Sequence, residues 1–181
     1  YNVAQMVAKE KPEEVAWRAI LELYRRQPGF YQRTSDSTRN QAYSTPIPLA
    51  YLLGTALGID ENGTVYDPTA GNGLLTFVAP ANRTIANELQ ESRAANLRGL
   101  NMSRVTTEDA TEYDLGRTVD HVMTNPPFGT LRGSGRQGYK GWKLSRLEHV
   151  IAARALDALP ENAGTGAVII GASREAGKLS G

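Results

Sequence analysis

The sequence contains no cysteine and only two histidines. A chain without cysteine forms no disulfide and no zinc site built on thiolates. It also lacks the thiolate nucleophile that some enzymes add to a ring, which excludes methylation of cytosine at carbon 5 by that route. Two histidines are too few for a histidine-rich metal centre, so we predict no bound metal.

Long apolar runs are also missing. No stretch approaches the ~18 apolar residues that a transmembrane helix needs, and we expect no contact with a membrane. No charged-then-apolar segment opens the chain, so we expect a cytoplasmic protein. The net charge is only +1, so a nucleic-acid site would have to be a local basic patch. The chain begins at Tyr1 rather than methionine, and we expect it to be a piece of a longer protein.

The pattern of apolar residues predicts a three-layer α/β fold. Helical periodicity covers 12–27, 45–57, 91–100 and 145–159. Short runs rich in β-forming residues cover 64–66, 84–86, 103–107, 121–124 and 167–170. Their alternation favours a mainly parallel, Rossmann-like sheet, in which ligands bind beyond the carboxyl ends of the strands. We assign residues 1–40 to an N-terminal helical segment and residues 41–181 to the α/β domain.

Two helix starts carry capping signals. Thr45 before Pro46 is typical of an N-cap followed by a first-turn proline. Ser145 and Glu148 have the spacing of a capping box, in which each side chain bonds the other residue's backbone amide. His121 lies inside a predicted strand, and we interpret it as a hydrogen-bonded structural residue.

The segment Asp67–Gly73, with the sequence DPTAGNG, directly follows the first predicted strand. Glycines let the backbone turn sharply and let a ligand approach closely, and a carboxylate at a strand end can bind a cationic or hydroxyl-bearing group. The residues of this segment that we expect to contact a ligand are Asp67, Thr69, Ala70, Gly71 and Gly73. A plain strand-to-helix turn would use the same residues, so the loop alone does not distinguish a ligand-binding loop from such a turn.

Two acids follow the next two predicted strands. Glu88 ends the second strand about 20 residues after Asp67, which is the spacing of an acid that accepts hydrogen bonds from ribose hydroxyls. Asp109 follows the third strand and could accept a hydrogen bond from an adenine amine, as could Glu108 beside it. Taken alone, each acid is more typical of a solvated turn or a helix start.

The segment Asn125-Pro126-Pro127-Phe128 follows the fourth predicted strand and is the most specific signal in the chain. Two prolines remove backbone donors and fix φ, so the carbonyl groups point in set directions. The Asn125 amide and the Pro126 carbonyl can then accept both hydrogens of one amino group, and Phe128 can stack on the ring that carries it. A strand ended by prolines is the structural alternative.

A basic, glycine-rich stretch follows this segment. Residues 129–146 contain no acid, and they carry the aromatic side chains of Tyr139 and Trp142. A loop of this kind suits phosphate contact and base stacking, although a mobile surface loop is the alternative. The residues that we expect to contact nucleic acid are Arg132, Arg136, Lys140 and Lys143.

Taken together, these segments resemble the amino-methyltransferases of DNA, in the arrangement where a Thr-Pro segment precedes the glycine motif. The resemblance runs from about residue 41 to residue 172 and implies a Rossmann-like methyltransferase fold that uses S-adenosylmethionine. It also implies a site-specific enzyme whose acceptor is the N6 amine of adenine in DNA. Tyr43 and Thr45 match the segment that closes over the methionine moiety. Asn125 to Phe128 match the catalytic tetrapeptide, and Asn125 is also expected to contact the cofactor.

The sequence departs from that family in two respects. We predict five strands where the family usually has seven, which indicates truncation at the C-terminus. The separate target-recognition domain is missing, so a further domain or subunit is expected to supply it. Other acceptors stay open, namely guanine N2 in RNA, cytosine N4 in DNA and protein glutamine. A non-catalytic cofactor- or DNA-binding module of a larger protein is the alternative from another class.

Overall fold

The computed structural model describes residues 1–10, 12–27, 44–131 and 137–171. The helices in these ranges are α1 (Asn2–Val7), α2 (Glu13–Arg25), α3 (Ile47–Ala56), α4 (Glu91–Gly99) and α5 (Leu147–Leu156). The strands are β1 (Val65–Asp67), β2 (Thr84–Asn87), β3 (Arg104–Thr106), β4 (His121–Thr124), β5 (Gln137–Tyr139), β6 (Trp142–Leu144) and β7 (Thr165–Val168). None of the helices in the described ranges has the length and apolar content that a membrane span requires.

Five of the strands form one parallel sheet in the order β3-β2-β1-β4-β7. The chain runs outward from β1 through β2 to β3 and then returns to place β4 on the other side of β1. Loops that leave β1 and β4 therefore diverge, and the crevice between them is where ligands bind in sheets of this kind. The predicted α/β class, the parallel sheet and its five strands are confirmed.

The side chains of β1 alternate between the two faces of the sheet, and the core is divided into one layer on each face. Val65 belongs to a cluster with buried residues of α1, α2 and α3, whereas Tyr66 belongs to a cluster with Ala155 of α5 and with Ala158. Successive residues of a strand point to opposite faces, so the two neighbours pack against different helices. Asp67 follows them at the carboxyl end of the strand and is buried. The predicted three-layer arrangement is thereby confirmed.

Both predictions of helix capping are wrong. The N-cap of α3 is Pro46 rather than Thr45, and the N-cap of α5 is Arg146, with no side-chain capping hydrogen bond at either. The side-chain oxygens of Thr45 and Glu148 instead bind groups distant in the sequence. The fifth main-sheet strand also begins two residues earlier than predicted, at Thr165.

The hairpin of β5 and β6 was not expected from the sequence. The two strands are antiparallel, and Tyr139 pairs with Trp142 across a two-residue turn. Both turn residues, Lys140 and Gly141, have positive φ, at 44° and 85°. This is the turn that matches the twist of paired strands, and a glycine between two aromatic residues is the signal that could have predicted it.

Candidate active site

A cleft of about 1010 Å³ lies at the carboxyl ends of β1 to β4. It is large enough for a nucleotide-sized ligand together with part of a second one. The sequence-predicted residues that line it are Thr45, Asp67, Thr69, Ala70, Gly71, Glu88, Asp109, Asn125, Pro127 and Phe128. Residues far apart in the sequence, such as Thr45 and Asn125 with a separation of 80 residues, thus meet around one cavity.

The glycine loop after β1 makes the floor of the cleft. Gly71 has a φ of 58° and Gly73 a φ of 77°, both in the left-handed region that side chains disfavour. A Cβ on Gly73 would lie 2.8 Å from the Met102 side chain, so Gly73 permits close packing of the loop against the segment after α4. Gly71 borders the cleft, whereas Gly73 does not.

Glu88 directly follows β2 and holds the loop in this shape. Its carboxylate accepts hydrogen bonds from the backbone amides of Gly71 and Gln90, both at 2.9 Å. The Arg93 guanidinium lies 3.9 Å from the same carboxylate. A carboxylate has about four acceptor positions, so these contacts leave Glu88 able to accept bonds from a ligand in the cleft as well.

Asp67 is a buried acid with an unused oxygen. One carboxylate oxygen accepts the Thr69 backbone amide at 2.9 Å, while the other is buried with no hydrogen-bond partner among the described residues. Burial raises the pKa of the Asp67 carboxyl to about 8, opposed by the Thr69 hydrogen bond and reinforced by the charge of Glu88. A cationic ligand in the cleft would satisfy the free oxygen and favour the ionised form.

Asn125 stands where β4 opens into the cleft, and it is linked to the segment before α3. Its amide nitrogen donates to the Thr45 hydroxyl at 3.2 Å, and Thr45 is itself buried. Nearby, the hydroxyl groups of Thr69 and Thr124 lie 3.0 Å apart and join the glycine loop to β4. Because the Asn125 nitrogen donates to Thr45, the amide oxygen is the atom left to accept a further hydrogen bond.

Comparison with known proteins identifies this architecture. Neither a protein-family model nor a curated protein sequence matches the chain. A protein from Pyrococcus horikoshii, provisionally assigned as an RNA methyltransferase, superposes with a TM-score of 0.58 at 20% identity, over 90% of this chain and 77% of that one. The modification subunit of a provisionally assigned type I restriction enzyme from Vibrio vulnificus superposes with a TM-score of 0.51 at 16% identity, over 86% of this chain. The chain has the Rossmann-like methyltransferase fold.

A third structure extends the likeness. An amino pentose methyltransferase from Micromonospora echinaspora, solved with S-adenosylmethionine bound, shares the methyltransferase fold with a TM-score of 0.51 at 15% identity, over 82% of this chain and 61% of that one. At these identities the likeness concerns the fold alone. The chain spans only 38% of the Vibrio modification subunit, so most of that subunit has no counterpart in it.

Several predicted site residues lie outside the cleft of the methyltransferase fold. Pro126 is buried, and Pro126, Gly73, Lys140 and Lys143 are not among the residues that line the cleft. Tyr43, Arg132 and Arg136 lie outside the described residues. His121 lies at the opposite end of β4 and bonds the Thr165 hydroxyl at 2.7 Å, as expected for a structural histidine.

Asn87 is the residue that the sequence analysis missed. Its amide nitrogen donates to the carbonyls of Pro68 and Glu108, and its amide oxygen accepts from the Thr106 hydroxyl and the Glu108 backbone amide, all at 2.7–3.0 Å. The side chain is fully buried and so ties the loops after β1 and β3 to β2. A buried carboxamide at the end of a strand is unfavourable unless it is hydrogen-bonded. An asparagine at the end of an otherwise apolar strand could therefore have predicted that Asn87 bonds neighbouring loops.

The cleft of the methyltransferase fold fits S-adenosylmethionine chemically. That molecule carries an ammonium and a sulfonium, and Asp67 offers a cation a buried oxygen that no residue in the described ranges partners. Glu88 offers acceptor positions to ribose hydroxyls, and the Gly71 loop admits a ligand without Cβ interference. Asp109 lies exposed at the edge of the cleft, where its carboxylate caps a turn through Thr111 at 2.9 Å.

Proposed function

We propose that this chain transfers a methyl group from S-adenosylmethionine to the exocyclic N6 amine of adenine in DNA. The observation that carries the proposal is the Asn125 carboxamide, held by Thr45 at the end of β4, in the same cleft as Asp67 and the glycine loop. An acceptor for an amine and an acceptor for a cation thus face one cavity. The fold is consistent with this chemistry and does not by itself establish it.

The cofactor half of the cleft comprises the loops after β1, β2 and β3. Asp67 would face the cationic methionine moiety, Glu88 the ribose and Asp109 the adenine. Bound S-adenosylmethionine supplies a methyl group on a sulfonium, which is already a strong electrophile. Protein residues therefore need only align the acceptor in front of that group, and alignment is a large part of catalysis for a transfer of this kind.

The acceptor half comprises the segment after β4. The Asn125 side-chain oxygen and the Pro126 carbonyl would accept the two hydrogens of the adenine amine. Those bonds favour a pyramidal nitrogen whose lone pair lies out of the ring plane, so no strong base is needed before attack. As the bond from the methyl group to sulfur breaks and S-adenosylhomocysteine is left, the cationic nitrogen would lose one proton to solvent. Phe128 borders the same cleft and would stack on a base that has left the duplex.

We choose DNA for two reasons. The Tyr-Ser-Thr-Pro and Asn-Pro-Pro-Phe segments resemble those of the amino-methyltransferases of DNA, and the hairpin of β5 and β6 carries Lys140 and Lys143. Target recognition would come from a further domain or subunit. An amine in RNA is the second candidate, because the Pyrococcus structure that superposes over 90% of this chain is provisionally assigned to RNA methylation.

The acceptor is tested by incubating the protein with labelled S-adenosylmethionine and, separately, with DNA, RNA or protein. Mass spectrometry of the digested product then identifies the methylated group. We expect N6-methyladenine from DNA. Methylguanine from RNA, N4-methylcytosine from DNA or methylglutamine from protein would overturn the assignment to adenine and keep the methyl transfer. No product from any acceptor would favour a binding module.

The Asn125→Ala variant tests the proposed role of the carboxamide. We expect kcat to fall by at least about 100-fold, because both the acceptor oxygen and the alignment of the amine are lost. The dissociation constant for S-adenosylmethionine, measured by calorimetry, should stay within a few fold of the wild-type value. Asn82→Ala, an exposed residue before β2, is the matched control. A loss of cofactor affinity equal to the loss of activity would contradict this role.

A further inference from the structure

Glu148 is a buried acid that neither half of the proposed site uses. Its side chain is 1% exposed, close to the N-terminus of α5. One carboxylate oxygen accepts the Gly129 backbone amide at 3.0 Å. The other accepts both Arg146 Nε, at 2.8 Å, and Arg146 Nη2, at 2.7 Å. Both oxygens of this buried carboxylate thus have a donor, and the carboxylate holds those donors in a fixed arrangement.

These contacts fasten the chain directly after Phe128. The Gly129 carbonyl accepts the Leu147 backbone amide at 2.8 Å, so Gly129 is bonded to α5 through both its amide and its carbonyl. Thr130 forms a β-bridge with Arg146, and the Leu131 amide donates to the Ser145 carbonyl at 3.2 Å. We call Gly129, Thr130, Arg146 and Glu148 the acceptor clasp.

Phe128 and Arg146 of the acceptor clasp both lie near Gly171. A Cβ built on Gly171 would lie 3.5 Å from the Phe128 ring and 3.9 Å from Arg146 Nη2. Arg146 is held there by Glu148. The hydrogen bonds of Asp67 and Glu88, by contrast, run to the glycine loop and to Gln90.

The ion pair contributes little stability by itself. The Arg146 side chain remains 42% exposed, so its Coulomb attraction is screened by solvent, whereas burying the Glu148 carboxylate costs free energy. Although burial raises the pKa of the Glu148 carboxyl, the hydrogen bonds from the backbone amides of Glu148 and Gly129 and from Arg146 hold it below its usual range. The carboxylate is therefore ionised at neutral pH and keeps its donors in place.

We propose that Glu148 is a positioning residue for the methyl acceptor: through Gly129 and Arg146 it fixes the segment that carries Phe128, and it leaves the cofactor half unchanged. The inference rests on the proposed function and deepens it, because it assigns Glu148 to the acceptor half of the cleft and not to the cofactor half. Removal of Glu148 should therefore impair use of the acceptor without weakening the binding of S-adenosylmethionine.

The anchoring is tested by NMR-detected hydrogen exchange of the Gly129 amide. We compare the wild type with Glu148→Ala, with Glu148→Gln, which keeps an acceptor oxygen, and with Val150→Ala. Val150 is equally buried on the same helix and does not line the cleft, so it controls for lost stability. We expect faster exchange in Glu148→Ala and near-wild-type protection in Glu148→Gln and Val150→Ala. Unchanged exchange in Glu148→Ala would overturn the proposal.

The positioning role is tested by kinetics on the same variants. For Glu148→Ala we expect kcat/KM for the acceptor to fall by about 100-fold, as for a group displaced by about 1 Å, with the S-adenosylmethionine dissociation constant within twofold. Glu148→Gln should recover part of the loss. An equal loss in Val150→Ala, or a parallel loss of cofactor affinity, would overturn the proposal. If the wild type methylates no acceptor, the proposed function falls, and Gly129 exchange alone then decides the anchoring.

Discussion

Asp67 shows how a single buried acid can lower the stability of a fold. Its carboxyl is fully buried, and one oxygen has no partner among the described residues. An uncompensated buried acid favours its neutral form and costs free energy when it ionises. Such a residue is retained where a ligand supplies the missing partner, and perturbed acids of this kind concentrate at functional sites.

The raised pKa of Asp67 predicts a pH-dependent stability. Its ordinary value is 3.8 and its value in the folded chain is about 8, so between these limits the folded state binds a proton that the unfolded state lacks. The contribution of this group to the free energy of unfolding therefore falls as pH rises from about 4 to about 8 and is constant above that. Asp67→Asn should abolish this decline, as measured by urea unfolding at pH 5, 7 and 9.

The exposed variant Asp114→Asn is the control for the loss of one negative charge. It should keep the wild-type dependence of the unfolding free energy on pH. If Asp67→Asn keeps the same decline, the carboxyl ionises normally in the folded chain, and its assignment as the cation-facing acid loses its basis.

At the scale of elements, the hairpin of β5 and β6 is the least expected part of the molecule. Tyr139 hydrogen-bonds Asp157 at the end of α5, and the Arg154 guanidinium lies 4.8 Å from the Tyr139 ring centroid. Lys140 pairs with Asp157 at 2.7 Å. These contacts dock one side of the hairpin on α5, while Trp142 stays 72% exposed beside the exposed Lys143. An exposed aromatic between two lysines suits contact with a nucleic acid.

Neutralising the hairpin lysines tests that contact. In the double variant Lys140→Gln and Lys143→Gln, we expect weaker DNA binding, because each lysine that neutralises a phosphate releases a counterion. A plot of log affinity against log salt concentration should lose at least about one unit of slope, chiefly from Lys143, because Lys140 is paired with Asp157. The neutral substitution avoids placing an acid beside Asp157. Arg18→Gln, on the exposed face of α2, should leave the slope unchanged. An unaltered slope in the double variant would remove the hairpin from the interface.

Whole elements were predicted better than their ends. The pattern of apolar residues located all five strands of the main sheet, and His121–Thr124 matches its strand to the residue. The periodic stretch 12–27 contains α2. Strand and helix interiors follow from side-chain burial with a fixed period. The ends depend on which carbonyl and amide groups find partners, and those partners come from other elements.

For the molecule as a whole, the N-terminal helices and the sheet share one core. Ile20 of α2 is fully buried and belongs to the same cluster as Val65 of β1 and Phe77. The Gln5 side chain in α1 also donates to the Ala79 carbonyl at 2.8 Å. Shared burial of this kind makes separate unfolding of the helices costly.

Ile20→Ala should therefore destabilise the entire chain. We expect the free energy of unfolding to fall by about 2–5 kcal/mol, because a cavity opens against the sheet. Circular dichroism and tryptophan fluorescence should report one coincident transition. Val15→Ala, a half-exposed residue of the same helix, should cost less than about 1 kcal/mol. Two separate transitions, with the later one unshifted, would show that the helices fold independently of the sheet.

Sequence patterns were enough to predict the five main-sheet strands and helices α2 to α5 in their order along the chain, and to place four polar motifs at strand ends. Periodic burial and the rigidity of Asn-Pro-Pro-Phe are local properties, so they can be recognised without the fold. The roles of Thr45, Asn87 and Glu148 depend on the tertiary fold. Thr45 bonds Asn125, 80 residues away, and Asn87 bonds the loops after β1 and β3, 19 and 21 residues away. Glu148 bonds two residues of the acceptor clasp, 2 and 19 residues away. A local capping rule predicted the wrong partner for two of them, because a side-chain oxygen binds the donors that folding brings nearest.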